Sequence, residues 1–361
     1  MANIAIIGAG LLGRFTCLCY QNHQVTLFDP LALDDEQHTG LIAAAMLAPT
    51  AESAISSNKV VALGNQSLEL WPELLKHFDW QHVFHQAGTI VLAHPADKGA
   101  IAHFINQVKP EQQVNFTSLS TDSLINLEPE LAKNWQQSLY LNGEGHIDND
   151  ILYQVTSKYI QTSNIRFKKQ SIDLDDGSLE EYDLVIDCRG MGAKGQTKEL
   201  LRGVRGEVIR VNAPDVHLTR PIRLMHPRYP LYIVPKTNNN YVIGATEIES
   251  ESTSPTTVRS ALELLSAAYS VHKGFAEATI TSIKSSLRPA FSDNEPSISS
   301  HGKVIQINGL YRHGYMITPA IINMLTQRTK QQFNIRCDAK LEKLFATQML
   351  GKQNSGATHG N

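Results

Sequence analysis

The sequence predicts an α/β fold whose first half forms a mainly parallel sheet and whose second half contains an antiparallel region. An apolar strand, a glycine-rich turn, a helix and a second strand follow one another between Met1 and Pro30. A further apolar strand, Tyr182–Gly190, runs into a glycine, and segments of alternating polarity fill residues 204–246. Parallel units followed by antiparallel strands indicate two structural parts with separate roles.

The first unit has the pattern G-x-G-x-x-G at Gly8, Gly10 and Gly13, after the strand Asn3–Ile7 and at the start of a helix. In this context the first glycine permits a sharp turn, the second lets a pyrophosphate approach the backbone, and the third allows close helix packing. The free N–H groups of the helix then face the phosphates. Asp29 ends the next strand, where a carboxylate can bind ribose hydroxyls. The unit predicts a Rossmann-like dinucleotide site, and these residues leave open whether it holds FAD or NAD(P).

The small-residue run Leu41–Pro49 has two interpretations. Its alanines either allow the backbone to approach something flat or begin a buried helix. Beyond it we expect a helix over Ser57–His77 that is broken or kinked at Trp71-Pro72, a strand over Gly88–Ala93 and a helix over residues 97–108.

Apolar periodicity and capping residues predict the elements of the second half. They are a helix from Asp148 to Gln161, a strand near 165–167, a hairpin of Leu231–Pro235 and Tyr241–Thr246, a helix from Ser254-Pro255 to Val271, strands over Thr279–Leu287 and 304–307, and a helix over Pro319–Gln332. Asparagines in the hairpin turn tolerate positive φ. The polar segment 351–361 is predicted to be disordered.

Bulk composition is that of an ordinary globular protein, with 42% hydrophobic residues and a net charge of −3 over 361 residues. The charge gives no reason to expect a nucleic acid or membrane partner, and the absence of a signal peptide or long apolar run predicts a cytoplasmic protein. Its four cysteines have no metal-binding spacing and are expected to be reduced thiols. His82-x-x-His85 has no accompanying carboxylates and is interpreted as solvated, so no metal site is predicted.

Two arginines stand beside predicted strand ends, Arg288 in Ser286–Pro289 and Arg312 in Gly309–Gly314. A guanidinium can bind a substrate carboxylate through two parallel hydrogen bonds. An ordinary structural ion pair is the alternative, and the pattern alone does not choose between them.

Several motifs in order resemble the D-amino-acid oxidase superfamily of FAD enzymes, and within it the glycine oxidases of thiamine biosynthesis. They are Gly8–Gly13, Ala43–Pro49, Tyr232–Pro235, Val242–Thr246, Leu287–Pro289 and Gly309–Gly314, and the resemblance extends from residue 3 to about 330. It implies an FAD-binding domain of the GR2 type interleaved with an antiparallel α+β substrate domain. The expected boundaries are 1–85, 146–203 and 288–345 for the first, and 86–145 and 204–287 for the second.

The resemblance implies that FAD is the cofactor, held without a covalent bond. The residues it assigns to cofactor binding are Gly8, Ala9, Gly10, Leu11, Leu12, Gly13, Asp29, Ala44, Ala45, Met46, Leu47, Ile172, Gly190, Gly309, Tyr311, Arg312, His313, Gly314, Tyr315 and Met316. Backbone amides near the last of these, together with the helix starting near Thr318, would face the flavin.

The same resemblance implies oxidation of glycine or another small amino acid by hydride transfer to flavin N5. Arg288 and Tyr232 would bind the substrate carboxylate, and Arg312 would be a second arginine of the active site. O2 would reoxidise the flavin, giving hydrogen peroxide and an imino acid that serves thiazole synthesis. An oxidase or dehydrogenase for N-methyl or D-amino acids, and a non-catalytic FAD-binding partner protein, are the alternatives. The sequence does not decide whether the protein forms a homo-oligomer.

Three positions depart from the family pattern. Ala45 stands where glycine is usual, and Glu247 stands where glycine oxidases carry an apolar residue. The Glu247 carboxylate would either pair with the substrate ammonium or turn out of the pocket. The strand end Asp187–Gly190 stands where small apolar residues are often seen. Separately, Leu287 stands near the position at which sarcosine oxidases carry a flavin-linking cysteine, so the resemblance implies no covalent bond to the flavin.

Overall fold

The computed structural model describes residues 1–94, 97, 99–108, 116–131, 135, 138–175, 177–225 and 231–346. The described strands are β1 Asn3–Ile7, β2 Gln24–Asp29, β3 Met46–Leu47, β4 Phe84–His85, β5 Thr89–Leu92, β6 Phe116–Leu119, β7 Ser138–Leu141, β8 Gly145–Ile147, β9 Arg166–Lys169, β10 Leu184–Asp187, β11 Arg202–Asn212, β12 Ile222–Leu224, β13 Leu231–Pro235, β14 Asn240–Gly244, β15 Thr279–Ala290, β16 Ser297–His301 and β17 Val304–Asn308. The helices are α1 Leu11–Cys19, α2 Thr39–Ile42, α3 Pro49–Glu52, α4 Asn58–His77, α5 Ala100–Gln107, α6 Thr121–Leu127, α7 Asn149–Thr162, α8 Val258–Val271 and α9 Gly314–Phe333. The tail expected to be disordered, 351–361, lies outside these residues.

A six-stranded sheet has the order β16-β17-β10-β1-β2-β9. All its pairs are parallel except β16 with β17. The strands β1, β2, β10 and β17 therefore end at the same edge, where open α/β sheets bind ligands. The predicted Rossmann-like sheet is confirmed.

An eight-stranded sheet has the order β15-β11-β14-β13-β12-β5-β7-β6. Its pairs are antiparallel except β12 with β5, and the predicted hairpin is β13 with β14. The turn residues Asn238 and Asn239 have φ near +59° and +58°. A short third sheet has the order β3-β8-β4. Its strands occur where the chain passes from one large sheet to the other, β3 and β4 between β2 and β5, and β8 between β7 and β9. The domain boundaries themselves stay a prediction.

Each large sheet has an apolar core of its own. The core on the six-stranded sheet includes Phe15 and Trp71, whose rings meet edge to face with centroids 5.1 Å apart. The core on the eight-stranded sheet is formed with helix α8, which contributes Leu264 and Ala268. Two separate cores indicate two packed units, one built on each large sheet.

Helix α9 begins at Gly314, not near Thr318 or Pro319 as expected. Pro319 has no N–H group, so the carbonyl four residues earlier, that of Tyr315, lacks its helical donor. The indole N–H of Trp71 donates to this carbonyl at 2.9 Å. A donor from helix α4 thus permits the helix to run through the proline.

Three other expectations were wrong in detail. Helix α4 is not broken at Trp71-Pro72, which contradicts one of the two expected outcomes there, while a kink stays a prediction. Helix α8 begins at Val258 because the Thr257 hydroxyl, not Ser254, accepts the N–H of the first turn. Strand β15 extends to Ala290 because β11 continues to pair with it, so Arg288 lies within the strand and not past its end.

Candidate active site

One cavity of about 500 Å³ opens at the carboxyl edge of the six-stranded sheet and reaches the eight-stranded sheet. Its volume falls in the usual range for ligand sites. The predicted site residues that line it are Gly8, Gly10, Leu11, Leu12, Asp29, Ala44, Ala45, Met46, Ile172, Gly190, Tyr232, Glu247, Arg288, Tyr311, Arg312, His313, Gly314, Tyr315 and Met316. Ala9, Gly13, Leu47 and Gly309 do not line it.

The glycine turn is packed as the sequence pattern requires. Gly8 has φ of +102°, in the left-handed region that favours glycine. A Cβ on Gly13 would lie 1.8 Å from the carbonyl oxygen of Gly8, whereas a Cβ on Gly10 would meet no atom within 4 Å. Gly13 therefore serves packing, and Gly10 leaves the turn open toward the cavity.

Asp29 holds the same turn in place. Its Oδ2 accepts the N–H of Ala9 at 2.6 Å and its Oδ1 accepts the N–H of Leu31 at 2.8 Å. Each carboxylate oxygen retains acceptor capacity. Asp29 thus positions the turn and keeps capacity for a ligand hydroxyl.

The small-residue run does not begin a helix. Short helix α2 ends at Ile42, and the chain passes through Ala43–Ala45 into strand β3. Ala45 has φ of +57°, a left-handed conformation that costs a non-glycine residue about 1–2 kcal/mol. The buried Lys236 ammonium donates to the carbonyls of Ala44 at 2.9 Å and Ile147 at 2.6 Å. These bonds tie the run to strand β13.

The strand end Asp187–Gly190 contributes Cys188, Arg189 and Gly190 to the cavity wall, which also includes Ile172. The Arg189 guanidinium donates to both oxygens of Asp187 at 2.8 and 2.9 Å and to the Ile172 carbonyl at 3.0 Å. The polar side chains at this strand end satisfy one another's hydrogen-bonding groups. The carbonyl of Ile172, a residue that the resemblance assigns to cofactor binding, therefore already accepts a hydrogen bond from Arg189.

Arg288 reaches the cavity across strand β11. A Cβ on Gly206 would lie 2.3 Å from its Nη2, so only glycine leaves room for the guanidinium. Nη2 donates to the Thr246 carbonyl at 3.1 Å, while Nη1 is buried without a hydrogen-bond partner among the described residues. An unpaired buried N–H is costly unless a ligand accepts it. The geometry favours an anion-binding role for this arginine.

Tyr232 lies on strand β13 in the same cavity. Burial raises the pKa of its phenol, although the guanidinium groups of Arg288 and Arg312 act in the opposite direction. A Cβ on Gly244 would lie 2.9 Å from the Tyr232 ring. The phenol therefore keeps its proton and can donate it in a hydrogen bond.

Glu52 is an acidic member of the site that sequence reasoning missed. Its Oε2 accepts from Arg312 Nε at 2.9 Å and from His313 Nε2 at 3.1 Å, and its Oε1 lies 3.3 Å from Arg223 Nη1. Burial alone would raise the pKa of Glu52, but these cationic and hydrogen-bonding neighbours hold it well below its usual range. Arg312 is therefore bound in an ion pair within the protein.

Glu247 lies in the cavity and contacts the same arginine. Its Oε2 accepts from Arg312 Nη1 at 2.6 Å, and its Oε1 accepts from the Tyr311 hydroxyl at 2.8 Å. The carboxylate neither turns out of the cavity nor stands free. The pairing with Arg312 and Tyr311 was not among the expectations for Glu247, and its pairing with a substrate ammonium stays a prediction.

The described part of the chain offers no cluster of ligands for a metal ion. His82 lies in a short 3₁₀ turn and His85 in strand β4, so they do not share a helix face. None of the described helices is long and apolar enough to cross a membrane.

A buried carboxyl behind the site gives a pH prediction. Burial raises the pKa of Glu144 to about 7. Its Oε1 accepts the N–H of Ala51 at 2.7 Å, and its Oε2 has no partner among the described residues. The pKa of Glu144 is thus higher in the folded protein than the usual 4.5. The contribution of the protonated carboxyl to folding stability is therefore complete below pH 4.5, and it is lost as the pH rises through about 7.

We therefore expect Glu144→Gln to remove this loss and to raise stability at pH 8 relative to the parent protein. The gain is at most about 3 kcal/mol, since one pKa unit corresponds to about 1.4 kcal/mol. Chemical denaturation of both proteins between pH 5 and 8 measures it, with the exposed Glu277→Gln as control. Parallel stability curves for the parent and Glu144→Gln would contradict the prediction.

Comparison with known proteins agrees with this architecture. The family model described as FAD dependent oxidoreductase (DAO) matches residues 3–328. A protein of Rhizobium etli named as a thiamine biosynthesis oxidoreductase, ThiO, is 33% identical over 327 residues, covering 90% of this chain and 95% of its own.

Two solved structures share the fold. A crystal structure of glycine oxidase from Geobacillus kaustophilus has a TM-score of 0.74 at 21% identity, covering 88% of this chain and 92% of its own. Iminodiacetate oxidase from Chelativorans sp. BNC1 has a TM-score of 0.72 at 20% identity, covering 88% and 92%.

The chain belongs to the DAO family of FAD-dependent oxidoreductases. It is an FAD-dependent enzyme similar to ThiO and to glycine oxidase. The predicted family, fold class and cofactor are thereby confirmed.

Proposed function

We propose that this protein oxidises glycine or a similar small amino acid, with O2 as electron acceptor, and that the imino acid formed serves thiazole synthesis. The observation that carries the proposal is the buried, unpaired Nη1 of Arg288 in the cavity. A substrate carboxylate would supply the missing acceptor. The ThiO-like relative supports the pathway, and the glycine oxidase of Geobacillus kaustophilus, at 23% identity, supports the substrate class.

The residues present fit FAD as cofactor. The open Cβ position of Gly10 and the amides at the start of α1 suit a pyrophosphate, and Asp29 can accept a ribose hydroxyl. The first turn of α9, from Gly314 to Met316, has N–H groups without helical acceptors and lines the same cavity. We propose that these two helix starts bind the two halves of the cofactor.

When bound, FAD would supply the chemistry of hydride acceptance from the substrate α-carbon and of electron transfer to O2. The protein's own contribution is orientation. Arg288 and the protonated Tyr232 would bind the carboxylate from strands of one sheet, which fixes the substrate's position. Rigid placement on strands reduces the entropy that the reaction must otherwise lose.

We further propose that FAD is held without a covalent bond. Of the four cysteines, Cys188 alone lines the cavity. It lies against the glycine turn, since a Cβ on Gly8 would lie 2.7 Å from its carbonyl oxygen. That position is the pyrophosphate end of the proposed binding mode, away from the flavin.

A visible spectrum before and after anaerobic addition of glycine tests the proposal. We expect a flavin spectrum that bleaches with glycine and returns with O2, and a yellow supernatant after acid precipitation. Sarcosine, proline and D-alanine measured alongside distinguish the alternative substrates. A flavin that no amine bleaches would instead support a non-catalytic FAD-binding protein, and colour in the acid pellet would indicate a covalent bond.

A further inference from the structure

The charges in the cavity are unevenly paired. Glu52 binds Arg312 and Arg223, and Glu247 binds Arg312 on its other side. Arg288 has no carboxylate partner among the described residues. The cavity thus presents one uncompensated guanidinium, that of Arg288, next to a second one already neutralised by the protein.

The Glu247 carboxylate is held by both of its oxygens. Its side chain is 35% exposed and lies between the Arg312 guanidinium and the Tyr311 hydroxyl. Burial and the adjacent carboxylate raise the pKa of Tyr311, so its phenol stays a donor to Glu247. The Tyr311 N–H in turn donates to the Pro289 carbonyl at 2.8 Å, which anchors this contact to the residue after Arg288.

We propose that Glu247 is a specificity-determining residue that restricts the site to substrates with a single carboxylate. The inference rests on the proposed function. Glu247 pairs with the Arg312 guanidinium, which would otherwise be available to bind a second carboxylate of the substrate. The negative charge of Glu247 also repels such a second carboxylate. Specificity achieved by placing a repulsive group against the wrong ligand is a general device.

Replacing Glu247 with glutamine removes the charge and retains an oxygen that can accept from Tyr311 or Arg312. We expect Glu247→Gln to bind malonate at least about tenfold more tightly relative to acetate than the parent protein does, because Arg312 then has only Glu52 as anionic partner. Acetate affinity itself should change by less than about threefold, since Arg288 is unaltered.

The experiment uses the FAD-bound protein and measures Kd for acetate and for malonate from perturbation of the flavin spectrum. Glu249→Gln is the matched control, because Glu249 lies two residues away, is 69% exposed and pairs with Arg202 outside the cavity. The ratio of the malonate Kd to the acetate Kd should fall in Glu247→Gln and stay at the parent value in Glu249→Gln. Glu247→Met tests the same point if the glutamine variant does not fold.

Three results would overturn the proposal. They are an unchanged preference in folded Glu247 variants, a parent protein that binds malonate more tightly than acetate, and a selective loss of glycine affinity with both carboxylate affinities unaltered. The last would assign Glu247 to the substrate ammonium. Because ligand binding is read without turnover, failure of the parent protein to oxidise glycine would count against the proposed function and leave this comparison valid.

Discussion

Replacing Arg288 with alanine is expected to lower kcat/KM for the amino-acid substrate by about 30-fold to several thousand-fold while FAD stays bound. Loss of a buried charged contact costs roughly 2–5 kcal/mol, and about 1.4 kcal/mol corresponds to a factor of ten. Arg288 belongs to strand β15, and its guanidinium contacts the protein through the Thr246 carbonyl at 3.1 Å. The guanidinium also packs over Gly206 and interacts with Tyr232, so the Tm of each variant is compared to separate an effect on folding from the effect on the substrate.

Steady-state kinetics and the flavin absorbance of each preparation measure this effect. Arg288→Lys should recover only part of the activity, because an ammonium lacks the planar pair of donors. The exposed Arg259→Ala serves as control for loss of an arginine outside the cavity. Unchanged kinetics in Arg288→Ala would remove this residue from the substrate site.

Two substitutions in the glycine turn should separate folding from cofactor binding. In Gly13→Ala the new methyl group would lie 1.8 Å from a backbone oxygen, so the helix and strand must move apart. Overpacking commonly costs about 1–3 kcal/mol and sometimes more. We expect the Tm of Gly13→Ala to fall even without FAD, and the protein to be isolated without its cofactor.

Gly10→Ala is the matched substitution three residues earlier. Gly10 has φ of −66°, which alanine adopts readily, and its Cβ position is empty. The Tm without FAD should therefore stay close to that of the parent protein, while FAD affinity falls because the methyl group points to where the pyrophosphate approaches. Thermal denaturation with and without added FAD measures both effects. Equal behaviour of the two variants would contradict the separate roles of these glycines.

Local sequence patterns predicted those parts of the molecule that depend on neighbouring residues. The turn from Gly8 to Gly13 and the Asn238-Asn239 hairpin require particular backbone conformations, and their residue types reveal this. The start of α9 could not be predicted in the same way. It depends on Trp71, which is far away in the chain and replaces the hydrogen bond that Pro319 cannot make.

The ion pairs of the candidate site show the same limit. Arg312 lies in a recognisable motif, but its partners Glu52 and Glu247 follow no spacing relative to it. The sequence offers two positions for the Glu247 carboxylate, and neither includes the contacts with Arg312 and Tyr311 that the structure shows. Pairing between distant residues is fixed by the fold and leaves no periodic signal in the sequence.

The pairing of β11 with β15 has a mechanical consequence. The two strands run side by side from Arg202–Ala290 to Asn212–Thr279, and β15 ends shortly before β16 of the other sheet begins at Ser297. Because β11 also pairs with β14, and β14 with β13, this ladder places Arg288 and Tyr232 in one continuous sheet. We therefore expect these two side chains to keep their spacing while substrates enter and products leave, so that the carboxylate-binding pair moves as one unit.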